Sequence, residues 1–297
     1  MYLASVLEVA TPLVLAALGC LLTVRAGMDN IGIEGMMLGG AFAGAAVSTT
    51  VFGPWGGLAV AALAGLALAL LLAWSHLSLG ADFVLAGIAV NLLAAGGTAT
   101  FLFAINKSKD KGANALESNP LPTVHLSFLD GVPVLKALAG LSPITWATLV
   151  LAPVVVYLYF HSRPGIWIRA VGGNAPAVVE AGISPTRVKW LAMSISGVFA
   201  GLAGAQLSLA TTHTFVRDMT QGRGFIALAA VYLGLRHPIG TIIAATAFGM
   251  CQALTILLQA RTSIPTDPLT AFPYVVTVLA LGIAGLRSLR RPSATVA

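Results

Sequence analysis

Few polar side chains in this sequence could do work, and most of them lie inside or beside apolar runs. The first group is Asp29-Asn30-Ile31-Gly32-Ile33-Glu34-Gly35. A carboxylate a turn inside an apolar span costs about 2.5–3.5 kcal/mol at the bilayer centre on insertion scales, and less near an interface. Glu34 is therefore expected to face protein or water. It could mark a helix entry packed at a pore or cytoplasmic gate, or be a structural carboxylate bonded to neighbouring backbone or to a cation such as Arg25. The second group is Thr220-Gln221-Gly222-Arg223-Gly224-Phe225. Its two glycines permit an abrupt turn, and Arg223 could meet an anionic or polar group at a membrane mouth. Asn91 and Gln206 are amides within apolar spans, suited either to line a path for a hydroxylated or amide-rich solute or to bond across helices. Asn30, Glu34, Asn91, Gln206, Arg223 and Phe225 form the candidate translocation path or gate.

A third stretch, Arg163 to Lys189, interrupts two strongly apolar runs. Asn174 can cap a helix, Pro176 is tolerated in its first turn, and Gly182 can supply a left-handed exit. The two turns between those limits are too short to be stable alone. Val178, Val179 and Ala181 are apolar where solvent is expected. Such a helix can dock into a groove on a soluble partner or rest on lipid headgroups.

Several chemistries are excluded. No G-x-x-x-x-G-K-[ST] run is present, so the chain cannot itself be the ATP-hydrolysing part of a P-loop system. His76, His125, His161, His213 and His237 show no metal-ligand spacing, and no nucleophile elbow or zincin motif occurs. No catalytic residue and no metal site are therefore expected. The paired intramembrane acids and bases of proton or voltage machinery are also missing.

The elements that must position these residues are membrane helices. Of 297 residues 58% are hydrophobic and only 9% charged, against about 25% charged in a soluble domain, which makes this an integral membrane protein. Its apolar runs are continuous rather than alternating, which disfavours a β-barrel. The expected fold is all-α: a polytopic transmembrane bundle forming one domain over residues 1–297. With about 20 apolar residues needed per crossing, spans fall near 4–24, 31–51, 55–77, 82–105, 144–161, 190–211, 239–260 and 269–287. A ninth segment, 224–235, is short enough to be re-entrant or broken. Residues 106–143 form the longest polar loop. Cys20 and Cys251 lie within spans and read as small core residues. The N-terminus lacks a basic leader, so no cleaved signal peptide is read. The basic residues sit in loops and the tail, without a patch suited to nucleic acid. If 163–189 is cytoplasmic, alternation brings the tail inside and divides the 16 Lys and Arg nine to seven in favour of that side. The pattern G-x-F-A-G-x-A occurs at Gly40–Ala46 and again at Gly197–Ala203; it could mark corresponding helices of a duplicated unit, but in a chain this rich in Gly and Ala coincidence is the better reading.

Read together, these motifs resemble a known family. Arg25-Ala26-Gly27-Met28-Asp29-Asn30-Ile31-Gly32-Ile33-Glu34-Gly35-Met36-Met37-Leu38 is similar to the N-I-G-x-E-G-M-M-L signature of ABC importer permeases of the nucleoside and simple-sugar type, within the wider branched-chain amino acid and ribose permease group. Arg169–Pro176 followed by Glu180-Ala181-Gly182-Ile183 looks like that family's cytoplasmic coupling loop. Gly222–Val231 matches a third block and Pro238-Ile239-Gly240 the turn after it. Two departures stand out: Gly173 and Ala175 loosen a usual Glu-Asn-Pro, and Tyr232–His237 replaces a more common aliphatic-Phe-Gly-x-Trp-Asn. The resemblance implies one of two permease subunits of an importer for a purine-type nucleoside or similar small polar solute. A cytoplasmic ABC ATPase would dock on Asn174, Pro176, Val178, Val179, Glu180, Ala181, Gly182 and Ile183. A second, homologous permease and an external substrate-binding protein or lipoprotein would complete the assembly. ATP and Mg2+ are expected on the ATPase, with no cofactor bound by this chain. The expected location is the cytoplasmic (inner) membrane, multi-pass, with the C-terminus inside. The alternative is a stand-alone secondary transporter or channel for a small polar solute.

Overall fold

The computed structural model describes residues 2–108, 115–123, 140–261 and 282. Helices α1 (Tyr2–Arg25), α2 (Ile33–Ser48), α3 (Gly53–Leu77) and α4 (Phe83–Ser108) come first, followed by a short strand β1 (Ala115–Glu117). Then come α5 (Pro143–His161), α6 (Arg163–Gly173), α7 (Ala175–Glu180) and α8 (Pro185–Ala205), which runs on as a π-helical turn through Thr211. Strand β2 (Thr214–Val216), α9 (Arg223–Leu233) and α10 (Pro238–Arg261) complete the described chain. Among the described residues six helices are long and apolar enough to cross a membrane, and Ile33–Ser48 and Arg223–Leu233 are shorter apolar helices. The protein is a multi-pass helical bundle. The expected span 269–287, the basic tail and most of loop 106–143 lie outside the described residues.

Two expectations are refined. The break at 163–189 holds two helices rather than one, because Ser162 Oγ accepts from the Gly165 backbone N–H at 3.2 Å and starts α6 before Asn174 starts α7. The polar loop 106–143 contains β1, which pairs antiparallel with β2, matching Leu116 to Phe215. Phe215 is fully buried and meets the Phe42 ring edge-on at 5.2 Å. Asn119 pins the same loop to the end of α2, its side-chain N–H donating to the Ser48 carbonyl at 2.8 Å.

Small residues determine how closely the central helices approach. A Cβ placed on Gly201 in α8 would stand 2.2 Å from the Ala61 carbonyl of α3, and one on Gly40 in α2 would stand 2.6 Å from the Gly201 Cα. The two copies of G-x-F-A-G-x-A therefore pack against each other. With lipid on the outside, such backbone-to-backbone packing is what holds membrane helices together. α1 fills the centre, with Leu13, Leu18 and Leu21 wholly buried.

Candidate functional site

After α1 ends, residues 29–35 form a strap through the bundle that passes through a turn at Ile31–Gly32 into the first residues of α2. Almost every polar group along it is bonded to a different helix. The Asn30 side-chain N–H donates to Ser196 Oγ of α8 at 3.1 Å, while its Oδ1, fully buried, finds no partner among the described residues. Asn91 of α4 brackets the strap: its Nδ2 donates to the Ile31 carbonyl at 3.0 Å, and its Oδ1 accepts from the Gly35 backbone N–H at 2.8 Å. The Tyr232 hydroxyl at the far end of α9 donates to Asp29 Oδ1 at 2.5 Å.

Glu34 is buried and serves the opposite end of α9. Its Oε1 accepts from the Gly222 N–H at 2.7 Å and its Oε2 from the Gly224 N–H at 2.6 Å. Gly222, the residue before α9, has φ 76° and offers no side chain to cap the helix, so a carboxylate from across the bundle takes that role. The helix dipole favours an anion there. Gly224 leaves room for it: a Cβ at that position would stand 2.7 Å from the Glu34 nitrogen. Of the two readings of Glu34, the backbone-bonded carboxylate describes these contacts, with backbone far away in sequence. Arg25 is not its partner, since Arg25 Nε donates to the Tyr159 hydroxyl at 2.5 Å.

The other path candidates divide. Gln206, fully buried at the start of the π turn, accepts from Ser142 Oγ at 2.9 Å and donates to Thr145 Oγ1 at 3.3 Å, tying α8 to the start of α5. Both intramembrane amides thus cross-link helices. Arg223 sends Nη1 to the Met219 carbonyl at 2.8 Å and Nε to Gln252 of α10 at 3.4 Å. Phe225 beside it is 46% exposed. Those two side chains lie at the end of α9 that Glu34 holds.

At the other end of the bundle, α6 and α7 make a helical hairpin. Asn174 Oδ1 accepts from the Ala177 N–H at 3.2 Å, Pro176 lies in the first turn and Gly182 has φ 75°. The two valines separate. Val178 is buried against its own chain, whereas Val179 is 59% exposed and Glu180, Ala181 and Gly182 are exposed beside it. Val178 is therefore an internal anchor rather than part of an outward face, and Ile183 packs partly against the core. Between α6 and α7 lies a shallow apolar depression lined by Ile166, Trp167, Ala177 and Val178.

The matching family model, described as the permease component of branched-chain amino acid transport systems, covers residues 2–281. The chain belongs to this permease family. A guanosine ABC transporter permease of Bacillus subtilis is 34% identical over 285 residues, covering 92% of this chain and 88% of its own. An ABC transporter permease of Haloferax volcanii described as a glucose permease is 32% identical over 302 residues, covering 95% and 90%. A solved ABC transporter described as of metal-chelate type, in an inward-facing conformation, shares the fold with TM-score 0.53 at 16% identity, over 94% of this chain and 85% of its own. The protein is thus a transmembrane permease subunit of an ABC transporter.

Within the permease, the hairpin is fastened by residues that the sequence offers only as members of longer motifs. The Arg169 guanidinium lies over the Tyr159 ring at 5.2 Å and the Phe160 ring at 5.5 Å, and its Nη2 donates to the Phe160 carbonyl at 3.3 Å. Gly172 sits so close to the end of α1 that a Cβ there would stand 1.9 Å from the Arg25 carbonyl. The Phe160 ring meets His237, before α10, at 5.5 Å. Tyr232 and Asp29 were legible only as a departure from the family pattern and as part of a motif, never as a pair. Their partnership spans 203 positions, and a single sequence carries no signal for it.

Proposed function

We propose that this permease forms half of the translocation path of an ABC importer for a purine-type nucleoside or similar small polar solute. The second half would come from a homologous permease. A cytoplasmic ATPase, carrying ATP and Mg2+, would drive it by docking on residues 174–183, and an external substrate-binding protein or lipoprotein would deliver the solute. The chain would lie in the cytoplasmic membrane with its C-terminus inside and bind no cofactor of its own.

The observation that carries this reading is the build of α7. It is capped by Asn174, anchored from beneath by Val178 and released by Gly182 in the left-handed region. It turns Val179 and Glu180 outward at the end of a hairpin fastened to α1 through Gly172 and to α5 through Arg169. A rigid, apolar-tipped lever suits a soluble partner that moves, and groove-docked helices are recognised in this way. The guanosine permease relative supports the nucleoside class. The relative described as a glucose permease favours a second reading, a simple sugar.

The test is uptake by the complete transporter in cells with labelled guanosine and labelled glucose. Saturable, ATP-dependent guanosine entry that excess glucose does not compete away is the expected result. Glucose entry without guanosine entry would establish the second reading, and entry of either without the ATPase would overturn the importer reading.

A further inference from the structure

The strap and α9 touch at both ends. Asp29 meets Tyr232 near the C-terminal end of α9, and Glu34 meets the N–H groups of Gly222 and Gly224 at its N-terminal end. The strap therefore lies antiparallel along α9, tied by side chains top and bottom. It also begins directly beyond Arg25 and Gly27. Arg25 is bonded to Tyr159, and its carbonyl lies against Gly172 in the hairpin. One continuous run of contacts thus leads from the α6–α7 hairpin through the end of α1 into the strap, and along the strap to the end of α9 bearing Arg223 and Phe225.

We infer that Glu34 is a positioning residue for transport. It locks α9 to the strap so that a displacement of the hairpin carries the Arg223–Phe225 end with it. The inference deepens the importer reading and rests on it for the hairpin's role. Glu34 does not touch the solute in this account. A carboxylate suits the task because it accepts from two backbone donors at once in a site where each unmade bond is costly. Tyr232 with Asp29 forms the second tie.

The test uses the assembled transporter carrying Glu34→Gln or Tyr232→Phe. The glutamine keeps the shape but turns an amide NH2 toward a backbone N–H. Two readouts are taken: amide hydrogen exchange at 222–224, and solute moved per ATP hydrolysed. In Glu34→Gln, exchange at 222–224 should rise about tenfold, the loss of about 1.4 kcal/mol of local protection. Solute moved per ATP should fall severalfold while ATPase capture and hydrolysis persist. Tyr232→Phe should lower the same ratio, and the double variant should fall short of the summed effects because both ties serve one body. Faster exchange with an unchanged ratio would overturn the inference and leave Glu34 a cap alone. Unchanged exchange would remove the strap. Should Glu34→Gln fail to assemble, the ratio in Tyr232→Phe decides, and a wild-type ratio there overturns the proposal. A wild-type preparation that captures no ATPase defeats the importer reading and the transmission claim together, whereas the exchange readout still judges the tie itself.

Discussion

Val178 and Val179 are neighbours of identical chemistry with opposite tasks, and the difference comes from 1.5 Å of rise and a 100° turn. Only the packing of α7 on its own chain decides which one points inward. Val178→Arg should bury a charge beneath the hairpin and cost several kcal/mol, read as rapid protease cleavage within 163–185. Val179→Arg should leave the hairpin intact and act only on docking. Asn91 makes a second residue-scale case. Asn91→Ala strands the Gly35 N–H and the Ile31 carbonyl, both inside the bundle. The expected cost is about 1–2 kcal/mol, given that such bonds are worth less in membranes than intuition suggests. Reversible unfolding in mixed micelles would measure it.

The caps of α7 were legible at the element scale because each is local: Asn174, Pro176 and Gly182 all fall within the nine residues 174–182. The short segment before Arg236 was legible too, from its length, and the structure gives it as α9. Gly224 was legible only as a glycine. Its reason is the approach of Glu34 from 190 positions away, which neither spacing nor composition encodes. The same holds for Gly201. Its pattern reads as a generic packing face, yet its partners are the Ala61 carbonyl and Gly40. Gly201→Leu should force α8 away from α2 and α3, overpacking that exceeds the usual 1–3 kcal/mol of a tight core. The variant should lose its folded yield in detergent, while leucine at the exposed position Gly173, with nothing within 4 Å of a Cβ, should not.

For the whole molecule, hydropathy alone was enough to read a polytopic bundle, because continuous apolar runs in lipid have one common solution, the helix. What hydropathy does not encode is the grouping of contacts at the two ends. Ser48, Asn119, Ser118 and Phe215 gather at one end, and Arg25, Tyr159, Arg169 and His237 at the other. The hairpin belongs to the second group, joined to α5 and α1 through Arg169 and Gly172, and its proposed role is that of a lever. A paired variant tests that role. The transporter carrying Val179→Arg with Glu180→Arg is purified in mild detergent through a tag on this chain, beside the wild type, and the bound proteins are identified by mass spectrometry. Wild type should retain an ABC ATPase and a second permease, while the double variant should insert normally, keep the second permease and lose the ATPase and uptake. A double variant that keeps the ATPase and transports at the wild-type rate would contradict that role.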